Sequence, residues 1–195
     1  MRKISSESLL NIIEYEKVRN EYRKEIIEYK KNRRISLGPN VMITFENEKT
    51  LSFQIQEIMR SERLADDIKI EEEVNIYNTI MPPENGLSAT LFIGITDEKK
   101  IKSVLNRFIG LTIGKTLYFK FNGESVYAKF EQGREEKDKI SSVHYLQFHF
   151  TENQKIAFSD RSQSIELIID YNEYKYKVIL SSEMIDCLSK DFINI

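Results

Sequence analysis

The chain has 195 residues, 41% hydrophobic and 31% charged, so it can bury one sizeable core and still cover it with charge. Wholesale disorder is excluded on that balance, and a single domain over 1–195 is expected. A net charge of -2 supplies no global field toward nucleic acid or an anionic membrane, so polyanion binding would need a local patch.

A lone Cys187 cannot close an internal disulfide, and two histidines, His144 and His149, cannot build the usual nitrogen and sulfur zinc cage. A reducing, cytoplasmic setting is expected, with no cofactor and no metal of the chain's own. Glu7, Asn11 and Glu14 interrupt any apolar signal core, and no run approaches the roughly 20 apolar residues that span a bilayer.

From Ser5 to about Arg33 the residues Ile12, Tyr15, Val18, Tyr22, Ile26 and Tyr29 recur at steps of three or four, the spacing of one helical face. A long amphipathic helix follows, capped by Ser5 or Ser6 and stopped before Gly38-Pro39. Val41, Ile43 and Phe45 alternate with Met42, Thr44 and Glu46 as the residues of a strand do. Asn47 can cap a second helix, about Glu48 to Arg63, that buries Leu51, Ile55, Ile58 and Met59. Ile70, Val74, Tyr77 and Met81 space out a third, within a stretch of local charge -5 from Asp66 to Gly86. After the Pro82-Gly86 loop, Leu87 to Ile95 reads as a buried strand, and Ile101 to Phe108 as a short helix ending at Gly110.

The second half is richer in strands. Asn122-Gly123 between two alternating runs predicts a hairpin that opposes Phe119 to Val126, because both turn residues tolerate positive φ. SSVHYLQFHF is a further strand, and a hairpin at Asn172-Glu173 sets Ile169 against Tyr176, Leu167 against Val178 and Ile165 against Leu180. Ser181 caps a last helix through Met184, Leu188 and Phe192. The fold class is α+β: a long N-terminal helix and a helical pair packed on a mainly antiparallel sheet with two hairpins, with sub-parts 1–86 mainly helical and 87–195 mainly sheet.

Several stretches invite a chemical reading. Gly110 to Thr116, GLTIGKT, has three residues between its glycines where a phosphate loop needs four, so a helix-to-strand turn is expected instead. His144 shares a strand face with Leu146 and Phe148, His149 the opposite one, so the two cannot grip one metal and His144 is expected to be structural. Through Arg34 the N-terminal segment holds ten basic residues against six glutamates, interleaved with tyrosines. That combination can contact RNA, but intrahelical pairs such as Glu16 with Arg19, Lys17 with Glu21 and Lys24 with Glu28 explain it as a solvated face.

The most polar helix is the second. Gln56, Arg60 and Arg63 fall at i, i+4 and i+7, with Gln54 and Glu57 on the adjoining face and Glu46 just upstream. Two arginines on a rigid helix can present forks to a carboxylate or phosphate, with Glu57 orienting Arg60; ordinary surface ion pairs are the alternative.

FENEKTLSFQIQEIMRSER, the later YNTIMPPENGLSATLFI, and SSVHYLQFHFTENQ after a long helix running into NRRISLGP resemble a mostly bacterial family known as a domain of unknown function. The likeness spans nearly the whole chain, with Glu46, Asn47, Gln54, Gln56, Glu57, Arg60, Glu62, Arg63 and His144 at motif positions. Thr79 stands where the pattern has proline, and Ile58 where it has methionine. The family's genes often lie beside rubrerythrin-like and iron-sulfur oxidoreductase genes, which implies a role near redox or oxidative-stress metabolism and names no reaction. The leading expectation is a cofactor-free binding or accessory protein whose partner is a protein, of the rubrerythrin-like or iron-sulfur kind. The rival is an enzyme that handles a small anion through Glu46, Gln54, Glu57, Arg60, Arg63 and His144. An RNA contact is a weaker third reading, and neither nucleic acid nor a membrane is expected as the partner.

Overall fold

Arg34–Leu37 (β1) and Val41–Glu46 (β2) form an antiparallel hairpin, and from it an eight-stranded sheet grows. The computed structural model of the chain describes residues 3–133, 135–136 and 139–192. The remaining strands are Gly86–Ile93 (β3), Leu117–Phe121 (β4), Glu124–Phe130 (β5), Glu135–Glu136 (β6), Lys139–Ile140 (β7), Val143–His149 (β8), Glu166–Tyr171 (β9) and Tyr174–Ile179 (β10). Spatial order is β1-β2-β3-β8-β5-β4-β9-β10, antiparallel throughout, with β6 and β7 as a separate pair.

Strand alternation then builds the core. Val41, Ile43 and Phe45 of β2, Leu87, Ala89 and Leu91 of β3, Phe119 of β4, Phe148 of β8 and Leu167 and Ile169 of β9 all face inward and are buried. The sheet curls until its two edges meet, as a nearly closed barrel. One side chain joins the edges: the Tyr174 hydroxyl accepts from the amides of Asn40 and Val41 at 3.0 and 3.1 Å and donates to the Leu37 carbonyl at 2.6 Å. Gly38, in the turn it grips, has φ +76°, and a Cβ there would stand 2.6 Å from the Tyr176 ring.

Three helices cover one outer face: Ile12–Lys30 (α1), Glu48–Glu62 (α2) and Asp67–Thr79 (α3). The others are Ile101–Asn106 (α4), Glu152–Ser159 (α5) and Ser182–Ser189 (α6), and α5 and α6 bury Phe158, Ile185 and Leu188 into the barrel core. A second apolar cluster of Ile4, Leu51, Ile55, Met59, Val74 and Tyr77 lies beneath the helical cover.

Sequence expectations meet this structure unevenly. The hairpins form in the expected registers, Phe119 opposite Val126 and Ile169 opposite Tyr176, and Asn47 caps α2 through a reciprocal bond with Thr50. The first helix begins later than expected: Asn11 caps it at Glu14, while Ser5 caps only a single 3-10 turn. Val18 is 44% exposed, and of the residues of α1 only Tyr15 and Ile26 are fully buried. Strand β1 and helix α5 escape the sequence reading, the former because Gly38-Pro39 reads as a helix stop when it is the hairpin turn. Both β1 and β2, from the first 86 residues, belong to the same sheet as the later strands.

Candidate functional site

Helix α2 holds most of the expected site residues, and its packing sorts them apart. Gln56 is buried at 3% exposure, so it presents no face to solvent with Arg60 and Arg63. Its amide pairs with the backbone of Leu10, accepting from the nitrogen at 2.8 Å and donating to the carbonyl at 2.8 Å. Asn78 holds Ile4 in the same two-bond manner, at 2.9 Å each way. Two side-chain amides therefore do for the N-terminal segment what a neighbouring strand would do.

Glu57 turns toward α1. It accepts from the Tyr15 hydroxyl at 2.7 Å and from Nε and Nη2 of Arg19 at 2.8 and 2.9 Å, a bidentate fork. The Arg19 hydrogen bonds, with that of Tyr15, hold the Glu57 carboxyl below the usual carboxylate range. Burial first, then the bond to Glu57, pushes the Tyr15 hydroxyl well above the ordinary phenol range. Arg60 pairs with Glu16 of α1, Nε to Oε2 at 2.6 Å, and this bond holds Glu16 below its usual range. Glu57 thus orients Arg19, where Arg60 was expected, and Glu16 looks across to α2 instead of along its own helix to Arg19. Arg63 lies beyond the helix as its C-cap, at φ 54°, and is exposed. Gln54 bonds only its own helix, to the Thr50 carbonyl at 3.4 Å.

Glu46 has a different environment. At 2% exposure it accepts from Thr90 Oγ1 at 3.0 Å through one carboxylate oxygen, while the other is buried without a hydrogen-bond partner. Register aligns Glu46 with Ser88, Ser88 with Gln147 and Gln147 with Lys129, a polar row across β2, β3, β8 and β5. The row ends on a half-open cavity of about 310 Å³ whose lining includes Thr79, Ser88, Lys129, Tyr145 and Gln147. None of Gln54, Gln56, Glu57, Arg60 or Arg63 lines it.

A third constellation was not anticipated. Arg33, fully buried, forms an ion pair with Asp191 and donates from Nε to the Phe45 carbonyl at 2.9 Å and from Nη2 to the Glu46 carbonyl at 3.3 Å. Asn47 joins it, donating to Tyr29 at 2.8 Å and Asp191 at 3.0 Å. Burial opposes the Arg33 charge, but the Asp191 carboxylate more than offsets it and the guanidinium keeps its proton more tightly than usual. Nothing in the spacing of Arg33 and Asp191 signals the pair, because 158 residues separate them. His144 is 1% exposed inside the barrel, with Nε2 2.7 Å from the Ser141 carbonyl. Among the described residues, no three metal-ligating side chains converge and no helix is long and apolar enough to cross a membrane.

A nearly closed antiparallel barrel, roofed on one side by helices held together through Glu57, defines the class of protein. The chain belongs to the family described as a protein of unknown function, DUF3501, whose family model matches residues 3–192. A crystal structure of a protein of unknown function from Burkholderia pseudomallei K96243 is similar at 26% identity and a TM-score of 0.89, over 97% of this chain and 99% of that one. No curated protein matches the chain.

Proposed function

We propose that the chain is a cytoplasmic accessory protein that holds a protein partner against its α1–α2 face, the partner being a redox protein of the rubrerythrin-like or iron-sulfur kind that the family resemblance implies. One observation carries this reading. The Arg60–Glu16 pair stays partly exposed, at 36% and 55% of the two side chains, and three residues along the same face of α1 stands Ile13, 73% exposed. An apolar anchor beside an arginine is the composition of binding hot spots. The Tyr15–Glu57–Arg19 bonds underneath hold both helices in place, so a partner meets a preorganised surface and little ordering cost opposes binding.

The test places a photoreactive side chain at position 13 in the native host, purifies the cross-linked protein and titrates it against the chain. Arg60→Glu is expected to weaken that complex at least about tenfold with an unchanged melting temperature, since an exposed pair contributes about 1 kcal/mol or less to folding. A purified candidate that does not bind, or full affinity in Arg60→Glu, overturns the reading.

A second reading has its own observation, the cavity beside Ser88, Tyr145 and Gln147 in line with the Glu46 carboxylate. There Lys129 would hold a small anion and Glu46 would exchange a proton. Thermal shift against a panel of small carboxylates and phosphates tests it, with Glu46→Gln as the variant; no shift with any of them removes it.

A further inference from the structure

Residues 3–10 hold to the rest of the chain by very few contacts. Ile4, 3% exposed, is the one fully buried residue among them, seated on Leu51, Ile55 and Met59 of α2 and Val74 and Tyr77 of α3, with Leu9 partly buried beside it. Lys3, Ser5, Glu7, Ser8 and Leu10 are exposed. Among the described residues, the hydrogen bonds that tie the segment to other elements are the two amide clamps, Asn78 on Ile4 and Gln56 on Leu10. Its remaining bonds are internal, within the turn from Ser5 to Leu9.

Each clamp grips backbone alone. A side-chain amide that accepts from a main-chain N–H and donates to the carbonyl of the same residue fits any residue except proline, which has no N–H. Selectivity is left to the apolar cluster, where Ile4 fills the one deep position. Main-chain bonds for affinity, joined to a pocket for one side chain, are the means by which proteins take up extended peptides. A segment with a single buried anchor and two clamps also lies at the low-stability end of a fold, so it opens while the helices beneath it stay formed.

We infer that the surface bridged by Gln56 of α2 and Asn78 of α3 is a peptide-binding site, occupied by the chain's own residues 4–10 and taken by an extended segment of a protein partner when these lift. The resident segment defines the chemistry of that partner: an aliphatic side chain in the Ile4 position, and amide N–H groups there and in the Leu10 position. Neither clamp involves Arg60 or Glu16, so the inference does not rest on the face proposed above.

Fluorescence anisotropy of a labelled synthetic peptide with the sequence of residues 3–11, KISSESLLN, titrated with the full chain, tests the inference. In the unaltered chain the tethered segment competes at an effective concentration of about millimolar, so the peptide should bind weakly. Ile4→Asp in the chain removes the resident anchor, and the same peptide should then bind at least about tenfold tighter. Asn78→Ala added to Ile4→Asp should weaken binding at least about fivefold through two lost hydrogen bonds, whereas Arg60→Glu in the same background should leave it unchanged. A peptide with proline in the Leu10 position, which offers no N–H to Gln56, should bind at least about fivefold more weakly. Hydrogen exchange on the unaltered chain supplies a reading that needs no variant. The Ile4 and Leu10 amides should share one protection factor, at least about tenfold below that of Leu51 in α2. No binding to folded Ile4→Asp, equal binding by both chains, full affinity of the proline peptide, or Ile4 and Leu10 amides as well protected as Leu51 overturns the inference.

Discussion

Asp191→Leu is expected to cost about 3 to 5 kcal/mol, because it strands a buried guanidinium without its carboxylate. Arg33 has no solvent exposure and the Asp191 side chain 3%, so water cannot take the place of the lost partner. The charge cannot be shed either, since a guanidinium stays protonated at any ordinary pH. What remains to Arg33 are the Phe45 and Glu46 carbonyls, where β2 runs past its last pair with β1 at Arg34 and Thr44, and longer contacts to Tyr29 at 3.4 Å and Cys187 at 3.6 Å. Against the usual total stability of about 5 to 15 kcal/mol this is a large fraction. At about 2 to 4 °C per kcal/mol for a chain of this size, the melting temperature should fall by about 6 to 20 °C. Urea unfolding at neutral pH measures the loss, with an unchanged m-value as the check that the unfolded state is the same. Arg33→Met combined with Asp191→Leu should recover part of it, because a well-packed apolar pair replaces a buried ion pair at little cost. A residual loss of about 1 to 3 kcal/mol is expected from the two strand carbonyls left without donors. Asp191→Leu costing less than about 1 kcal/mol, or a double variant no better than the single one, would refute the account of Arg33 as a buried charge held by Asp191.

Gln56→Leu should lower stability by about 1 to 3 kcal/mol and abolish hydrogen-exchange protection of the Leu10 amide, which donates to the Gln56 oxygen; unchanged protection would show that another group holds the segment. Glu57, whose folded pKa lies below the unfolded value, adds stability that is present above pH about 4.3 and lost as pH falls through the lower folded value. Glu57→Gln should therefore flatten the fall in urea midpoint from pH about 5 to 3. Burial first, then Tyr145, Glu73 and Glu46, pushes the Tyr77 hydroxyl up to about 12, so its contribution is intact below pH about 10 and lost as pH rises toward 12. Tyrosinate absorbance near pH 12 should lose one group in Tyr77→Phe, while Tyr15, raised further, stays protonated beyond it. Gly38→Ala should cost at least about 1 to 2 kcal/mol for the left-handed backbone alone, read from thermal unfolding, and an unshifted midpoint would contradict the close approach of Tyr174 and Tyr176.

Much of the local architecture was legible in the chain itself. Alternation around Asn122-Gly123 and Asn172-Glu173 determined two hairpins with their registers, because a one-residue slip would turn Phe119 or Leu167 to solvent. Asn47 and Ser181 announced their helices through the bonds that caps make, and the opposite directions of His144 and His149 followed from strand geometry alone. The membership of α2 was equally plain, yet what its polar residues do was not. Periodicity says which residues share a helical face, but what that face meets depends on the neighbouring element, and α1 approaches α2 in a way no spacing encodes. Gln56, read as a partner of Arg60, turned inward to Leu10, 46 residues away, and Glu57 took Arg19 from another helix. Strand order was beyond local reading for the same reason: β1 reads as the end of a helix until β2 pairs with it, and only closure of the sheet brings Tyr174 to Leu37 and Asp191 to Arg33. Short-range hydrogen bonds and alternation are local energies and leave their mark in the sequence. Burial and the orphaned carboxylate oxygen of Glu46 arise from contacts between residues far apart in the chain, so tertiary structure alone decided them.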